Sequence, residues 1–434
     1  MKIATVRSVV LSVLFLSRSA LMAGAPADDS PTYAEQVSRI LQKHCVACHQ
    51  PGGVGPFSLT NYAEARPFAR EIRLATQSRK EPPWFAAPGY GEFQNQRQLT
   101  VEEIKTLGAW FDAGSPMGDP KDLPPEHKQD GTWAYGPPDI VLAVAEPYTV
   151  AASIGEDIRC FVIPTSFLEP KAIRAMDVRP GDPSVVFHVR AFADVAGLAR
   201  QLDAQDRKSG FDCSLNMGSL FTQKLLGEWE AGMTFPALPD DIGRYLPKGA
   251  DVVLEIHYHQ TYKTASDRTQ VALYFQHHVQ QYVQTAAIVN RKILVPAGRA
   301  DYHATAEWVS PRDIMAIGVT PHMHRLGTAM RIKALTPGAH MRDLVWVNRY
   351  DFRWQTSYMF KEPIPIAKGT IIRVEAYYDN SEQNLNLNPH HPLHESRWGN
   401  SLEDEMLAAF LEYVDLQVPT VVKTRATVSG HANR

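Results

Sequence analysis

Two cysteines and a histidine stand together in the segment Cys45-Val46-Ala47-Cys48-His49. This C-x-x-C-H spacing is the attachment signature of a c-type haem, because the two thiols can add to the two vinyl groups of one haem. The adjacent imidazole then lies under the iron as its proximal ligand. A C-x-x-C pair alone would also fit a zinc site or a redox pair. Together with the two features described next, the segment predicts one covalently bound haem c.

Residues 1–27 have the features of a secretory signal peptide. Lys2 and Arg7 give a positively charged start, a short apolar run extends from Val9 to Phe15, and small residues before position 28 provide a cleavage region. The apolar run is too short to span a bilayer, and no later stretch approaches the ~20 apolar residues that a span needs. We therefore expect a periplasmic or secreted protein without a membrane span in the mature chain.

Two amphipathic helices are predicted on either side of a loop rich in Pro and Gly. Apolar residues recur at helical spacing between Tyr33 and His44, which predicts a helix that delivers the cysteines. Thr100-Val101-Glu102-Glu103 is a capping box, and the apolar residues after it line one face of a second helix. We expect residues 31–118 to form a small all-α, cytochrome c-like haem domain, followed by a linker at 119–138.

From about residue 120 the sequence changes to short runs with β propensity, separated by Pro and Gly. Asp251-Val252-Val253-Leu254-Glu255-Ile256 and Ile371-Ile372-Arg373-Val374-Glu375 are examples, and such a pattern is typical of β-sandwiches. A length of 434 residues predicts about three domains. The formal net charge of −3 gives no indication of nucleic-acid binding. The expected fold class is multi-domain: the small all-α domain followed by all-β sandwiches.

Cys160 and Cys213 remain once the first two cysteines are assigned to haem. In an oxidising compartment the two are expected to form a disulfide. The closed loop of about 54 residues would contribute about 4 kcal/mol in the chain-entropy model.

Two H-x-H pairs, His257-Tyr258-His259 and His322-Met323-His324, lie inside runs with β propensity. Residues i and i+2 of a strand point to the same face, so both imidazoles of a pair can reach one metal ion. The alternative is that such histidines simply face water. Imidazole alone leaves zinc, copper, iron and nickel open, whereas an added thioether favours copper, because sulfur is soft and suits Cu(I).

Residues from about 138 to 418 resemble the copper type II, ascorbate-dependent monooxygenases, the family of the peptidylglycine and dopamine hydroxylases, here with a fused N-terminal c-type cytochrome domain. The motifs that carry the resemblance follow in order: Cys160-Phe161-Val162, Val185-Val186-Phe187-His188-Val189, Leu254-Glu255-Ile256-His257-Tyr258, Pro321-His322-Met323-His324-Arg325-Leu326-Gly327 and Asp404-Glu405-Met406. The resemblance implies two antiparallel jelly-roll domains, at residues 139–280 and 281–420, each with one copper facing a solvent-filled cleft. Residues 421–434 would be a tail.

The resemblance also implies roles for individual residues. His322, His324 and Met406 match the ligands of the catalytic copper. His188 and His257 match two ligands of a second, electron-storing copper, but Phe187 stands where the family has the third histidine. His259 can substitute for it or can simply be exposed. One or two coppers are therefore expected.

Two departures from the family pattern concern the haem and the substrate. Glu81-Pro82-Pro83-Trp84 replaces a Met-Pro-Pro-Trp segment whose Met is the expected distal haem ligand, which leaves Glu81 and Met117 as candidates. Thr320, Ala408 and Phe410 replace the Arg, Asn and Tyr that hold a substrate carboxylate in the peptidylglycine branch. We therefore expect a small, weakly charged organic substrate rather than a glycine-extended peptide.

These features predict an exported copper-dependent monooxygenase that hydroxylates a C–H bond with O2. Its electrons would come through the haem c from a separate electron donor. The alternative is a non-catalytic periplasmic electron-transfer or copper-binding haem protein on the same scaffold. A haem sensor with an open distal site is a third, weaker interpretation.

Overall fold

The structure, a computed structural model, describes most of the chain between residues 30 and 416. The described ranges are 30–125, 132–152, 155–213, 224–260, 263–338, 341–384, 393–401 and 403–416. The predicted signal peptide (1–27) and tail (421–434) lie outside them. Strands make up 39% of the structure and helices 14%, so the fold is mostly β.

The helices of the described chain are short, and none has the length and apolarity needed to cross a bilayer. They are α1 (Ser38–His44), α2 (Tyr62–Ala65), α3 (Ala69–Gln77), α4 (Val101–Asp112) and α5 (Leu198–Asp203). A π-helical turn, Tyr33–Val37, precedes α1, so the chain is helical from Tyr33 to His44 as predicted. The capping box at the start of α4 is confirmed: Thr100 Oγ1 accepts from the Glu103 N–H at 3.1 Å, and a Glu103 carboxylate oxygen accepts from the Thr100 N–H at 2.8 Å.

The strands of the first half are β1 (Ile140–Ala143), β2 (Tyr148–Val150), β3 (Gly155–Pro164), β4 (Lys171–Arg179), β5 (Val186–Asp194), β6 (Phe211–Asp212), β7 (Lys224–Glu230), β8 (Ile242–Leu246), β9 (Asp251–Gln260), β10 (Ala265–Asp267), β11 (Gln270–Phe275) and β12 (Gln281–Tyr282). Those of the second half are β13 (Gln284–Val289), β14 (Leu294–Val295), β15 (Tyr302–Val309), β16 (Ile314–His322), β17 (Gly327–Leu335), β18 (Arg342–Val347), β19 (Tyr358–Ile366), β20 (Ile371–Tyr378), β21 (Ser396–Arg397) and β22 (Ala408–Asp415).

Four main sheets contain most of these strands, in an arrangement like that of four propeller blades. Their strand orders are β1-β11-β4-β8-β12, β6-β3-β9-β5-β7, β13-β22-β16-β19 and β15-β20-β17-β18. Buried side chains of the first two sheets share one hydrophobic core, and those of the last two share another. β5 is buried along its whole length, so its second face, which looks away from this core, is buried as well. That second face carries the polar residues described in the next section.

The predicted fold class is wrong. The described residues include only small helices and no sizeable all-α cytochrome domain, and four propeller-like sheets take the place of two jelly-roll sandwiches. The helices do share a small core around Leu107 and Trp110. However, Trp84 and Phe93, from the loop between α3 and α4, are buried in the core of the last two sheets. Phe93 also forms a β-bridge with Phe360, so this loop belongs to the β structure rather than to a separate helical domain.

The predicted disulfide between Cys160 and Cys213 is confirmed, with a Cα–Cα distance of 5.6 Å. Both residues are fully buried, in the small core beside α5.

We expect the double variant Cys160→Ser/Cys213→Ser to lose about 4 kcal/mol of unfolding free energy, because its unfolded state is no longer constrained. Urea unfolding with and without a reductant measures this. The reductant should weaken the wild type and leave the double variant unchanged; equal sensitivity of the two would contradict the expectation.

Candidate metal centre

His322, His324 and Met406 lie together where two neighbouring strands meet. His322 is the last residue of β16, and it pairs with Ala408, the first residue of β22. The antiparallel register therefore brings His324, two residues after His322, beside Met406, two residues before Ala408. All three side chains are buried. The two imidazole rings are nearly perpendicular, with their centroids 5.3 Å apart.

Hydrogen bonds determine which ring nitrogens are available. His322 Nδ1 is 2.6 Å from Gln355 Oε1, and the Gln355 amide is oriented by its own N–H bond to the Phe352 carbonyl at 3.0 Å. His324 Nδ1 donates to the Asp404 carbonyl at 3.0 Å. With the protons on Nδ1, the Nε2 atoms carry the lone pairs. His324 Nε2 is buried and has no hydrogen-bond partner among the described residues.

Burial keeps both rings neutral, which is the form that binds a metal. It lowers the pKa of His322 well below the ordinary value, and the neighbouring His324 lowers that pKa further. Burial also lowers the pKa of His324. Two neutral imidazoles, one with an orphaned buried nitrogen, and a thioether form a donor set that suits copper, above all Cu(I).

The buried Glu405 carboxylate holds the backbone around this donor set. It accepts hydrogen bonds from the N–H groups of His324, of Leu326 at 3.0 Å and of Met406 at 2.7 Å. Tyr378 adds a bond from its hydroxyl to the Met406 carbonyl at 2.9 Å. One side chain thus joins the two loop segments that carry the candidate ligands.

Replacing Glu405 by alanine is expected to lower the unfolding free energy by about 3 kcal/mol, because buried N–H groups lose their acceptor. Copper affinity should fall tenfold to a hundredfold, as is usual when a group that orients metal ligands is removed. Urea unfolding and a copper titration measure the two effects. Glu403→Ala is the matched control, because Glu403 is exposed and only two residues away. Equal copper affinity in the two variants would show that Glu405 does not position the ligands.

A second buried polar cluster occupies the face of the β9-β5-β7 strands that looks away from their core. His188 pairs with His257 across β5 and β9, with ring centroids 5.0 Å apart. His188 Nε2 lies 3.1 Å from a Glu228 carboxylate oxygen, and His257 Nε2 lies 2.9 Å from Glu255. Burial lowers the pKa of His188 to about 4, so this ring is neutral and its Nε2–H donates to Glu228.

This cluster differs from the three-imidazole set predicted for a second copper. His188 and His257 are together, but both Nε2 atoms face carboxylates, and Glu255 also pairs with Arg190 at 2.7 Å. His259 is exposed and joins no group of converging ligand atoms among the described residues, and Phe187 contacts His257 with ring centroids 5.8 Å apart. The ligand-type atoms that come within 4.8 Å of one another belong to His188, Glu228 and Glu230. A hydrogen-bonded imidazole–carboxylate network therefore occupies this position, and three imidazoles do not converge in the part of the chain that the structure describes.

The C-x-x-C-H segment lines a cavity of about 410 Å³, which we call the first cavity. Cys45 and Cys48 are not disulfide-bonded, and burial raises the pKa of Cys45 to about 12. His49 Nδ1 donates to the Phe57 carbonyl at 3.1 Å, which leaves its Nε2 for a ligand. Glu81 also lines this cavity. Met117, the other candidate distal ligand, instead packs against the small core that the helices between residues 33 and 112 share.

The first cavity is closed on one side by residues of the β structure. Phe187, His259, Arg353 and Trp354 line it together with the C-x-x-C-H segment. Cys48 also contacts the β structure directly, since its Sγ lies 3.2 Å from the carbonyl of Ala231, the residue after β7. The helical segment and the β sheets thus share one cavity.

A second cavity, of about 380 Å³, is lined by residues from both halves of the chain. Thr320 and Phe410, which pair across β16 and β22, both line it. Thr320 precedes His322 by two residues on the same strand, so its side chain lies on the same face as the His322 ring. Ala408, the third position predicted to face a substrate, is fully buried and does not line this cavity.

The C-terminal part of the chain is similar to a known protein family. Residues 279–429 match the copper type II ascorbate-dependent monooxygenase C-terminal domain. The matched region contains His322, His324 and Met406. This part of the chain, about a third of its length, is thus similar to a domain of copper monooxygenases.

Other comparisons add no functional information. Solved structures found by shape include the major capsid protein P2 of bacteriophage PM2, which is 12% identical with a TM-score of 0.23, over 65% of this chain and 98% of that chain. The infectious bursal disease virus VP2 subviral particle is 10% identical with a TM-score of 0.19, over 64% and 72%. Likeness at this level carries no argument. A comparison with curated protein sequences finds no match.

Several residues of the site carry no signal in the sequence alone. Glu405 stands inside a recognised motif, but its role as a backbone acceptor depends on the loop geometry. Trp354 and Gln355 belong to no motif, and Glu228 joins His188 only through strand pairing.

Proposed function

We propose that this protein is an exported copper-dependent monooxygenase that hydroxylates a C–H bond of a small organic substrate with O2. Its electrons would arrive through one haem c, held covalently by Cys45 and Cys48 with His49 as proximal ligand. One observation carries the proposal. The buried His322, His324 and Met406 form a donor set that suits copper. Gln355, which is hydrogen-bonded to the His322 ring, stands in the chain between Trp354, which lines the first cavity, and Ser357, which lines the second.

The candidate ligands for the catalytic copper are Nε2 of His322, Nε2 of His324 and the Met406 sulfur. Copper bound there supplies the redox chemistry with O2 that the family uses. Gln355 and the Asp404 carbonyl hold the Nδ1 protons and so orient both rings. Glu405 holds the backbone of His324 and Met406, and burial of all three ligands keeps bulk water away.

The second cavity is the proposed substrate site. Arginine side chains line it, but each is paired: Arg190 with Glu255, and Arg244 with Glu412. Thr320 Oγ1 and Ser357 Oγ bond to each other at 2.6 Å. These guanidinium groups already have carboxylate partners, and the Lys224 ammonium, which also lines the cavity, lies over the Tyr245 ring. The arginines therefore do not form a clamp for a substrate carboxylate, and the cavity is better suited to a small, weakly charged molecule.

The first cavity is the proposed haem site. Two thiols, the His49 imidazole and apolar side chains such as Phe57 surround it, which matches the needs of a covalently bound haem c. Glu81 faces the same cavity, so a carboxylate or an open sixth position would give a lower potential than a methionine ligand.

To test this function, we would measure the ratio of copper to haem by elemental analysis. The protein is first reconstituted with copper and freed of loosely bound metal. We expect one haem and one tightly bound copper per chain, because three imidazoles do not converge around His188. Oxygen uptake coupled to formation of a hydroxylated product would then establish catalysis. Reduction of O2 without any hydroxylated product, in a broad substrate screen, would favour the electron-transfer alternative. Absence of tightly held copper would overturn the monooxygenase proposal.

A further inference from the structure

The segment Trp354–Gln355 connects the first cavity to the candidate copper site. We infer that it is the route by which an electron passes from the haem to the copper ligand His322, an inference that rests on the proposed function. In this step one electron leaves ferrous haem, which becomes ferric, and reaches the cupric ion, which becomes cuprous. No bond forms or breaks and no proton moves.

Trp354 is the entry point on the haem side. Its partly buried side chain lines the first cavity together with Cys45, Cys48 and His49. The Trp354 ring also contacts the ring of Phe187, with centroids 6.1 Å apart and planes at 60°. An indole beside the proposed haem position provides a polarisable group where the electron would leave the cofactor.

Gln355 is the exit point on the copper side. It follows Trp354 directly in the chain and is buried, with 3% of its surface exposed. Its Oε1 lies 2.6 Å from His322 Nδ1, while its amide N–H bonds the Phe352 carbonyl and prevents the side chain from turning away. The path from the first cavity to the ligand ring thus consists of two adjacent residues and one short hydrogen bond.

The competing route leads elsewhere. Phe187 also lines the first cavity, and its ring contacts that of His257, which lies beside His188. Both of these imidazoles are hydrogen-bonded to carboxylates, and no three-imidazole site converges there to receive an electron. Covalent and hydrogen bonds couple donor and acceptor better than gaps between side chains do. The Trp354–Gln355 route is therefore the more direct connection to the proposed copper.

The same segment continues to the second cavity. Ser357 donates a hydrogen bond to Glu228 and contacts Thr320, and all three residues line that cavity. Four consecutive residues therefore touch the proposed haem site, the candidate copper ligand and the proposed substrate site. This arrangement explains how one copper could be sufficient, because electrons would reach it without a storage copper.

The test is single-turnover electron transfer in protein loaded with haem and copper. In protein whose copper is cupric, the haem is first reduced without oxygen. Its oxidation by the copper of the same chain is then followed through the haem absorbance. We expect Trp354→Leu to slow haem oxidation at least tenfold, with copper content and the haem spectrum and potential unchanged. Trp308→Leu is the matched control, because Trp308 is also partly buried but packs against Tyr413, away from the first cavity.

Trp354→Phe keeps an aromatic ring and should give an intermediate rate, which also decides the matter if the leucine variant loses haem or copper. Gln355→Leu should slow the step as well, whereas Gln355→Glu, which keeps an acceptor for His322, should restore most of the rate. Wild-type rates in both Trp354 variants, or equal slowing in the Trp308 control, would overturn the inference. A wild type that binds no haem or no copper would instead overturn the proposed function.

Discussion

Replacing His324 by alanine is expected to lower copper affinity at least a hundredfold, about 3 kcal/mol, and to abolish hydroxylation. The reason lies in the hydrogen bonds of this ring. Its Nδ1 is occupied by the Asp404 carbonyl, while its Nε2 is buried and has no partner among the described residues. A buried nitrogen without a partner costs free energy unless something else binds it. A metal ion at Nε2 would offset that cost, so the ring contributes little to the metal-free protein and much to the loaded one.

Copper titration and thermal unfolding measure this prediction together. A ligand that binds only the folded state stabilises it, so copper should raise the melting temperature of the wild type and leave that of His324→Ala nearly unchanged. His277→Ala is the control, because His277 is exposed and far along the chain from the site. Met406→Leu gives a finer comparison. It keeps the apolar volume but removes the soft ligand, so affinity for Cu(I) should fall more than affinity for Cu(II). Wild-type copper affinity in His324→Ala would contradict the assignment of the site.

Motifs and the family resemblance predicted several features that the structure contains. His322, His324 and Met406, the set that the resemblance implied, lie together in the structure, and the predicted Cys160–Cys213 disulfide is present. The predicted C-x-x-C-H helix and the capping box at Thr100 are also present. These features depend on residues close in sequence or on chemistry that tolerates only one kind of partner.

The rest depends on tertiary packing that periodicity does not reveal. Trp84 and Phe93 lie in the Pro- and Gly-rich segment that the sequence predicted as a loop of the haem domain. In the structure they are buried in the core of the β sheets, and the predicted separate α domain is wrong for that reason. Glu228 and Glu255 look like ordinary strand residues in the sequence, but strand pairing brings them against His188 and His257. The chain order of motifs therefore predicted which residues lie together better than it predicted what surrounds them.

Replacing both Cys45 and Cys48 by alanine is expected to prevent covalent attachment of haem and to lower donor-driven hydroxylation at least a hundredfold. The two thiols and His49 line one cavity with Trp354, so their loss would remove the electron entry to the copper side. The His322, His324 and Met406 set is untouched by these substitutions. A small reductant such as ascorbate that reaches copper directly should therefore still support hydroxylation in the double variant.

Haem staining after denaturing electrophoresis measures attachment, and product formation with each reductant measures the two electron routes. Gln50→Ala is the matched control: Gln50 follows the motif, and its side-chain amide bonds only the Ala47 carbonyl among the described residues. This control should retain haem and donor-driven turnover. If the double variant lost activity with ascorbate as well, the cysteines would be needed for the copper site itself rather than for electron delivery. If the double variant kept donor-driven turnover, electrons would reach the copper without covalently attached haem. The buried imidazole–carboxylate cluster around His188 would then be the next candidate for their point of entry.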